Sequence, residues 1–480
     1  MSLLGNFGRR IGRDNHVLKN SLTLAITSLL ANLFNYLFYF YTARYLGPTD
    51  YGIFGTLLSI YFGFFFLTNI MNYLVINYIS YFKAKTQYDK IRRLFDVLVR
   101  SMALIGGVIF LAMWMLSSRI NAFIHAPTTV PIIFLGLFLW AYIILASFFG
   151  MLNGMQKFSS LGSSRVLDGF FTLIFGVIFL SLDMGISGGM LALFFAALLT
   201  IPFAIVPLKY ILAIHPARIG DIGIWEYVVK AIVPSIFIAI MLNADVILVK
   251  LVFDDVQAGY FAAASLMGKV IFFICSGMMA VIFPKAAELS SNGHDATPLL
   301  KDGLTYTAIV GFAISLLYII FPNFFAHILF SQEYQISDLI GPYALSVTFL
   351  SMANVFVMYN MAIKKFGASY ILIPFTAIQL TAMAVFHSSL RQVLVVNAFV
   401  MFLMCMAIIY FNKEDFIKMF KKTTGYHKYP ISAYLRVKTS AGDESTSSSR
   451  KIKVKELNEF LPYDDVEMVD IDENGNKRQQ

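Results

Sequence analysis

Three ionisable side chains fall inside long apolar stretches, and a fourth closes one. Lys269 lies within Ser265-Leu266-Met267-Gly268-Lys269-Val270-Ile271-Phe272-Phe273, and Asp245 stands two residues past Asn243 in a similarly apolar run. Asp168 follows Arg165 by three positions, and Arg44 ends the first apolar run. A charge at the middle of a membrane helix costs about 2.5–3.5 kcal/mol on insertion scales, so such residues mark substrate or ion paths by default. The Lys269 ammonium would neutralise an anionic group such as a phosphate; the other reading is a buried ion pair with Asp245. Asp245 would bind a coupling cation or accept a proton, or else hold two helices together by a hydrogen bond. Asp168 is a second ion-coupling candidate, although a spacing of three puts it on one helix face with Arg165 and so allows a local pair. Arg44 would meet a substrate anion at the surface, or anchor its turn by pairing with Asp50. Gln379, Asn354, Asn360, Asn69, Asn72 and Asn77 either line a polar path or join helices.

Other chemistry is not legible. Cys275 and Cys405 are far apart in apolar runs, without a disulfide framework or a metal spacing, and the seven histidines form no cluster. No phosphate-binding glycine loop of the P-loop type occurs, so direct ATP coupling is not expected. A membrane-embedded glycosyl- or phosphotransferase would need clustered acids or a metal motif in a sizeable loop. Here the loops between apolar runs are short, and only Asp254-Asp255 pairs acids in one. No enzyme activity, cofactor or metal is therefore expected.

The elements that must position these residues are membrane spans. The chain has 480 residues, 58% of them hydrophobic and 14% charged; a soluble domain is nearer half and a quarter. A helix needs about 20 apolar residues to cross roughly 30 Å of hydrocarbon. Apolar runs between charged or Pro/Gly breaks predict twelve spans, at 21–43, 52–80, 98–117, 130–151, 164–182, 187–209, 228–251, 257–284, 303–324, 338–363, 367–386 and 392–411. Long charge-free runs such as Val393–Phe411 exclude a membrane β-barrel, whose strands alternate over about ten residues. Met1–Asn20 carries Arg9, Arg10, Arg13 and Lys19 but no evident signal-peptidase site, so the first span is expected to be retained.

Charge sets the orientation. With the N-terminus inside, inside segments before residue 412 hold 19 Lys and Arg, and outside loops hold four: Arg44, Arg119, Lys250 and Arg391. The net charge of +9 thus reflects topology and anionic lipid at the inner face rather than a nucleic-acid partner. Six spans precede the polar stretch Ala213–Glu226 and six follow it. The expected organisation is an N-terminal six-helix lobe at 1–212, a cytoplasmic connector at 213–226, a C-terminal lobe at 227–411 and a largely disordered cytoplasmic tail at 412–480. The tail turns Ser/Thr-rich at Thr439–Ser449 and then acidic from Asp464. The lobes show a weak repeat: Arg44…Asp50-Tyr51-Gly52 after span one, and Lys250…Asp254-Asp255…Gly259-Tyr260 after span seven. Duplicated halves are common in secondary transporters, with substrate held between them.

Three segments carry a family resemblance. Arg44-Tyr45-Leu46-Gly47-Pro48-Thr49-Asp50-Tyr51-Gly52 is similar to an R-x-L-G-P-x-x-Y-G pattern. Gly150-Met151-Leu152-Asn153-Gly154-Met155-Gln156-Lys157-Phe158 is similar to G-x-x-x-G-x-x-(K/R)-(F/Y). Asn243-Ala244-Asp245 is followed by Ala258-Gly259-Tyr260 and by Phe283-Pro284. With twelve spans and a mid-chain connector, the chain resembles the polysaccharide-biosynthesis (Wzx-type) flippases of the multidrug/oligosaccharidyl-lipid/polysaccharide exporter superfamily. The resemblance covers the first two-thirds of the chain; beyond about residue 300 it rests on hydropathy alone. It implies an all-α integral membrane protein with two six-helix lobes around a central cavity, in the plasma (cytoplasmic) membrane. It also implies movement of a polyprenyl-(di)phosphate-linked oligosaccharide from inner to outer leaflet by alternating access. Implied partners are that lipid-linked oligosaccharide, membrane lipids, and a glycan polymerase or glycosyltransferases. The alternative within the superfamily is a cation-coupled drug or metabolite antiporter, against which the loop after span one argues.

Overall fold

The computed structural model describes residues 15–64, 75, 78–79, 82–83, 85–217, 224–291, 295–330 and 332–420. Asn69, Asn72 and Asn77, part of the connector and the tail beyond residue 420 lie outside the described residues. Every regular element described is helical, as lipid requires: without water, backbone N–H and C=O groups must be satisfied within the segment. The long helices are α1 (Asn15–Gly63), α2 (Tyr88–Met115), α3 (Val130–Gly154), α4 (Phe158–Ser181), α5 (Gly185–Ile205), α6 (Ile224–Val252), α7 (Asp255–Ser291), α8 (Thr297–Ile320), α9 (Ser337–Ala362), α10 (Leu372–Val385) and α11 (Leu390–Phe411). Shorter helices lie between or after them, among them Ser117–Ile124, Lys209–Leu212, Pro322–Leu329 and Lys413–Phe420.

Ten stretches among the described residues are long and apolar enough to cross a bilayer. The first two expected spans share α1. That helix breaks at Gly47, whose φ of 69° and ψ of 174° are not helical. Glycine adopts a positive φ without steric cost, and the following Pro48 disfavours a helical conformation in the residue before it. The dipeptide therefore turns one limb (to Leu46) into the next (from Pro48), and the total agrees with twelve spans. Several boundaries differ from expectation: α2 begins at Tyr88 rather than 98, and α4 and α8 each begin six residues early. The helix at span seven begins at Ile224, inside the expected connector, and the helix at span eight runs on to Ser291. In each case helical hydrogen bonding continues past the apolar stretch that sequence can detect.

Packing sorts the helices. α1 lies against α4, α4 against α5, α5 against α3 and α3 against α2. In the second half, α9 is central and packs on α7, α8 and α11, while α10 packs on α6 and α11. The halves meet chiefly where α1 contacts α6 and α7. Close approach of α1 and α4 depends on small residues at a seven-residue interval. A Cβ on Gly162 would overlap Thr27 Oγ1, one on Gly169 would lie 2.7 Å from the Ala31 carbonyl, and one on Gly176 would overlap the Phe38 ring. With no hydrophobic force between helices in lipid, such intimate contact is what holds them together.

Candidate transport site at the seam between halves

The seam is built from the second limb of α1 and the first half of α7. A Cβ on Gly52 would lie 2.7 Å from the Asp255 carbonyl, and one on Gly259 would overlap the Pro48 carbonyl. A Cβ on Gly55 would meet the Ala262 Cβ at 2.5 Å. These contacts are reciprocal: 259 less 52, 255 less 48 and 262 less 55 are each 207. Residue i touches the counterpart of j, and j touches the counterpart of i, which is the signature of a two-fold relation. The pairs advance in the same direction along both helices, so the two run parallel about a local dyad. The weak sequence repeat falls on this contact.

About two turns beyond Ala262 along the seam stands Lys269. It is 3% exposed, and its Nζ lies 5.5 Å from the centroid of the Phe62 ring on α1. Among the described residues its ammonium makes no ion pair and no hydrogen bond. Phe62 also faces Phe273, Tyr39 and Tyr61, with ring centroids 5.6, 6.4 and 4.9 Å away. The cation therefore sits against one ring of an aromatic cluster, at the place where the halves touch.

Asp245, 1% exposed, lies on α6. The expected alternative of a direct ion pair with Lys269 is not what forms: Asp245 is within electrostatic reach of Lys269, but its carboxylate accepts instead from the Tyr343 hydroxyl at 2.6 Å and the Val246 amide at 2.8 Å. Tyr343 Oη is also 2.9 Å from Ser265 Oγ, one turn from Lys269 on α7. A narrow crevice with no room for a water molecule adjoins Asp245, Tyr343, Ser346 and Asn397. Beneath it Gln379 Nε2 donates to the Met241 carbonyl and to Asn397 Oδ1, both at 3.0 Å. Asn354 and Asn360 are buried, and each has a side-chain oxygen without a hydrogen-bond partner.

Asp168 is half-buried on α4, with Thr200 Oγ1 3.5 Å from its Oδ1. The anticipated contact with Arg165 is not among the described ion pairs; the Arg165 guanidinium lies 5.8 Å from the centroid of the Phe149 ring. Asp168 is within electrostatic reach of Arg165, Tyr39 and Tyr142, and Tyr39 in turn faces Phe62, the ring beside Lys269.

Arg44 also departs from expectation. It does not pair with Asp50; its Nη2 donates to the Ile328 carbonyl at 2.6 Å. In return the Tyr334 hydroxyl donates to the Ala43 carbonyl at 2.8 Å. Arg44 thus caps the last turn of the short helix Pro322–Leu329, and Tyr334, in the segment after that helix, caps the last turn of the first limb of α1, where carbonyls lack partners. Asp50 lies instead by Lys250 and Asp255, which pair with each other. Burial pushes the Asp50 carboxyl above its usual range, Asp255 adds to the rise and Lys250 opposes it.

Known proteins share this architecture. The chain matches solved structures of an inward-facing multidrug resistance MATE family transporter of the MOP superfamily (TM-score 0.66, 14% identity, 84% of this chain and 100% of that one). It also matches a MOP superfamily transporter from Pyrococcus furiosus (0.65, 14%, 84% and 95%) and the Vibrio cholerae MATE transporter VcmN in its bent form (0.60, 13%, 84% and 96%). At such identities the likeness is one of fold. A search of curated proteins finds no match. The model of one family, described as polysaccharide biosynthesis protein, matches residues 17–290, which include both motif loops, Asp245 and Lys269. The chain belongs to the polysaccharide biosynthesis protein family, within the fold of the MOP superfamily transporters.

Proposed function

We propose that this membrane transporter moves a polyprenyl-(di)phosphate-linked oligosaccharide from the inner to the outer leaflet, and that Lys269 receives its phosphate. The observation that carries the reading is a buried ammonium at the seam with no acidic partner in contact among the described residues. In the sequence-derived orientation Lys269 lies about 18 Å below the outer end of its span, 12 residues at ~1.5 Å each, too deep to snorkel. The aromatic cluster that begins at Phe62 suits the apolar and sugar parts of such a substrate. Asp245, held by Tyr343, would bind the coupling cation or proton. The orientation with both termini cytoplasmic, in the cytoplasmic membrane, belongs to the same reading, as do a glycan polymerase or glycosyltransferases as neighbours in the pathway. A transporter rather than an enzyme agrees with the family and the fold.

A second reading, a cation-coupled antiporter of drugs or metabolites, is favoured by the buried Asp245 and the MATE fold. A cationic drug, however, would meet Lys269 at the seam and be repelled. Reconstituted vesicles decide between them. With a fluorescent polyprenyl-diphosphate oligosaccharide loaded in one leaflet, the wild type should expose it to an external quencher. Lys269→Ala should lose this at least tenfold with normal protein abundance. Lys269→Arg should retain part, because charge is kept while the planar guanidinium alters geometry. Equal rates for wild type and Lys269→Ala would remove the residue from the mechanism.

A further inference from the structure

Phe62 is absent from every sequence signal discussed above, yet it occupies a singular position. It is the counterpart of Lys269 under the local dyad, since 269 less 62 is again 207. The two therefore continue the row begun by Gly52 with Gly259 and Gly55 with Ala262, but where those pairs touch through backbone and methyl, this one touches through a cation and a ring. The N-terminal half presents an aromatic face where the C-terminal half presents an ammonium. Two lysines at these equivalent positions would repel; two phenylalanines would offer no charge to a ligand. The asymmetric pair does both jobs at one place.

We propose that Phe62 is a positioning residue for Lys269: its ring holds the ammonium on the seam while the site is empty, and a lipid-borne diphosphate displaces the ring, so that loading the site removes a contact between the halves. This rests on the reading of Lys269 as the phosphate receiver. The ring's negative face stabilises a desolvated cation, but less than a diphosphate oxygen in charge-assisted hydrogen bonds does. The ring is therefore a partner that a substrate anion outcompetes and that a neutral molecule does not. Because Phe62 and Lys269 belong to different halves, the exchange takes place across the interface whose parting alternating access requires. A ligand shifts a conformational equilibrium only by its differential affinity for the two states, and an anion that binds Lys269 only after the ring leaves has such a preference.

The test is binding of a short-chain polyprenyl diphosphate to the detergent-solubilised full chain, beside the uncharged polyprenol and inorganic diphosphate. Phe62→Leu keeps apolar bulk and removes the ring, so the diphosphate should bind roughly three- to tenfold more tightly. Phe62→Tyr keeps the ring and should bind as the wild type does. Polyprenol affinity should be the same in all three, which a general loosening of the fold would not produce. Inorganic diphosphate should rank the variants in the same order at lower affinity. If Phe62→Leu does not fold, Phe62→Met carries the same expectation. Lys269→Met should abolish the preference for diphosphate over alcohol; if the preference survives, the assignment of Lys269 itself fails. If it is lost while Phe62→Leu binds equally or more weakly than wild type, the role given to Phe62 is overturned and that of Lys269 stands. A changed polyprenol affinity in Phe62→Leu would likewise overturn it.

Discussion

At the scale of residues, the seam chemistry depends on two charges kept apart rather than paired. Asp245 has donors in Tyr343 and Val246, and Lys269 has a ring. A direct buried ion pair would lose about 3–5 kcal/mol on removal of one partner. With no direct contact, Lys269→Ala should cost the fold less than that, which is why its effect on transport can be read cleanly. The sensitive group for stability is Tyr343. Its hydroxyl serves Asp245 and Ser265 together, and both are buried. Tyr343→Phe should lower the unfolding free energy by about 1–3 kcal/mol, the usual cost of stranding a buried polar group. Ser265→Ala added to Tyr343→Phe should cost little more, because the partner is already gone. Melting of the four proteins of this cycle in detergent checks it; strict additivity would show that the hydroxyls do not interact. Lys269 and Asp245 were legible in sequence because a charge within an apolar helix is rare. Phe62 and Tyr343 were not, among 47 phenylalanines and 25 tyrosines, because their roles arise from tertiary register alone. For Arg44 and Asp168 the residues were legible and the contacts were not. Local spacing suggested Asp50 and Arg165, whereas the acceptor that Arg44 finds comes from 284 residues away.

At the scale of elements, helix positions could be read from apolar length, while helix contacts are written in glycines. The interval Gly162, Gly169, Gly176 lies in plain view in the sequence, but its meaning needs the opposite surface of α1, with Thr27, Ala31 and Phe38 in its path. The seam is similar. Gly52 and Gly259 can be noticed as a repeat, yet only the fold shows that each faces the carbonyl of the other's neighbour. Gly259→Ala tests this contact. The new Cβ would overlap the Pro48 carbonyl oxygen, and a backbone oxygen cannot rotate away as a side chain can. Overpacking of this kind costs about 1–3 kcal/mol, and here at least the upper end applies. The variant should therefore melt lower or keep its seam apart. A cysteine in place of Thr56, fully buried on the seam limb of α1, distinguishes the two, because its labelling accelerates only if the seam parts. Unchanged melting together with unchanged labelling would mean that the helices do not pack as closely as described.

At the scale of the whole molecule, the contacts between halves cluster at one end, where the Gly47-Pro48 turn meets the turn before α7 and the segment after α8. There Arg44 caps the helix Pro322–Leu329, Tyr334 caps the first limb of α1, and Phe330 and Tyr334 lie 6.4 and 6.1 Å, ring to ring, from Tyr51. Closing this end also gathers charge. Asp50 comes from the first half, Lys250 and Asp255 from the second, and the carboxyl of Asp50 is raised by burial and by Asp255 more than Lys250 lowers it. Both raising causes depend on the halves being together, so the packed end takes up a proton more readily than the parted one. By linkage the packed state then gains stability as pH falls from neutrality through the raised Asp50 range, above the ordinary carboxylate value of ~4, and loses that gain as pH rises again. Labelling of Thr56→Cys by an impermeant thiol reagent should slow on acidification by more than thiol ionisation alone explains. In Asp50→Asn the excess should vanish, because the substituted amide has no proton to take up, and labelling should be slow even at neutral pH. Identical pH profiles with Asp50 and with asparagine would show that this carboxyl plays no part in holding the end closed, and would leave the glycine contacts and the reciprocal caps to do so alone.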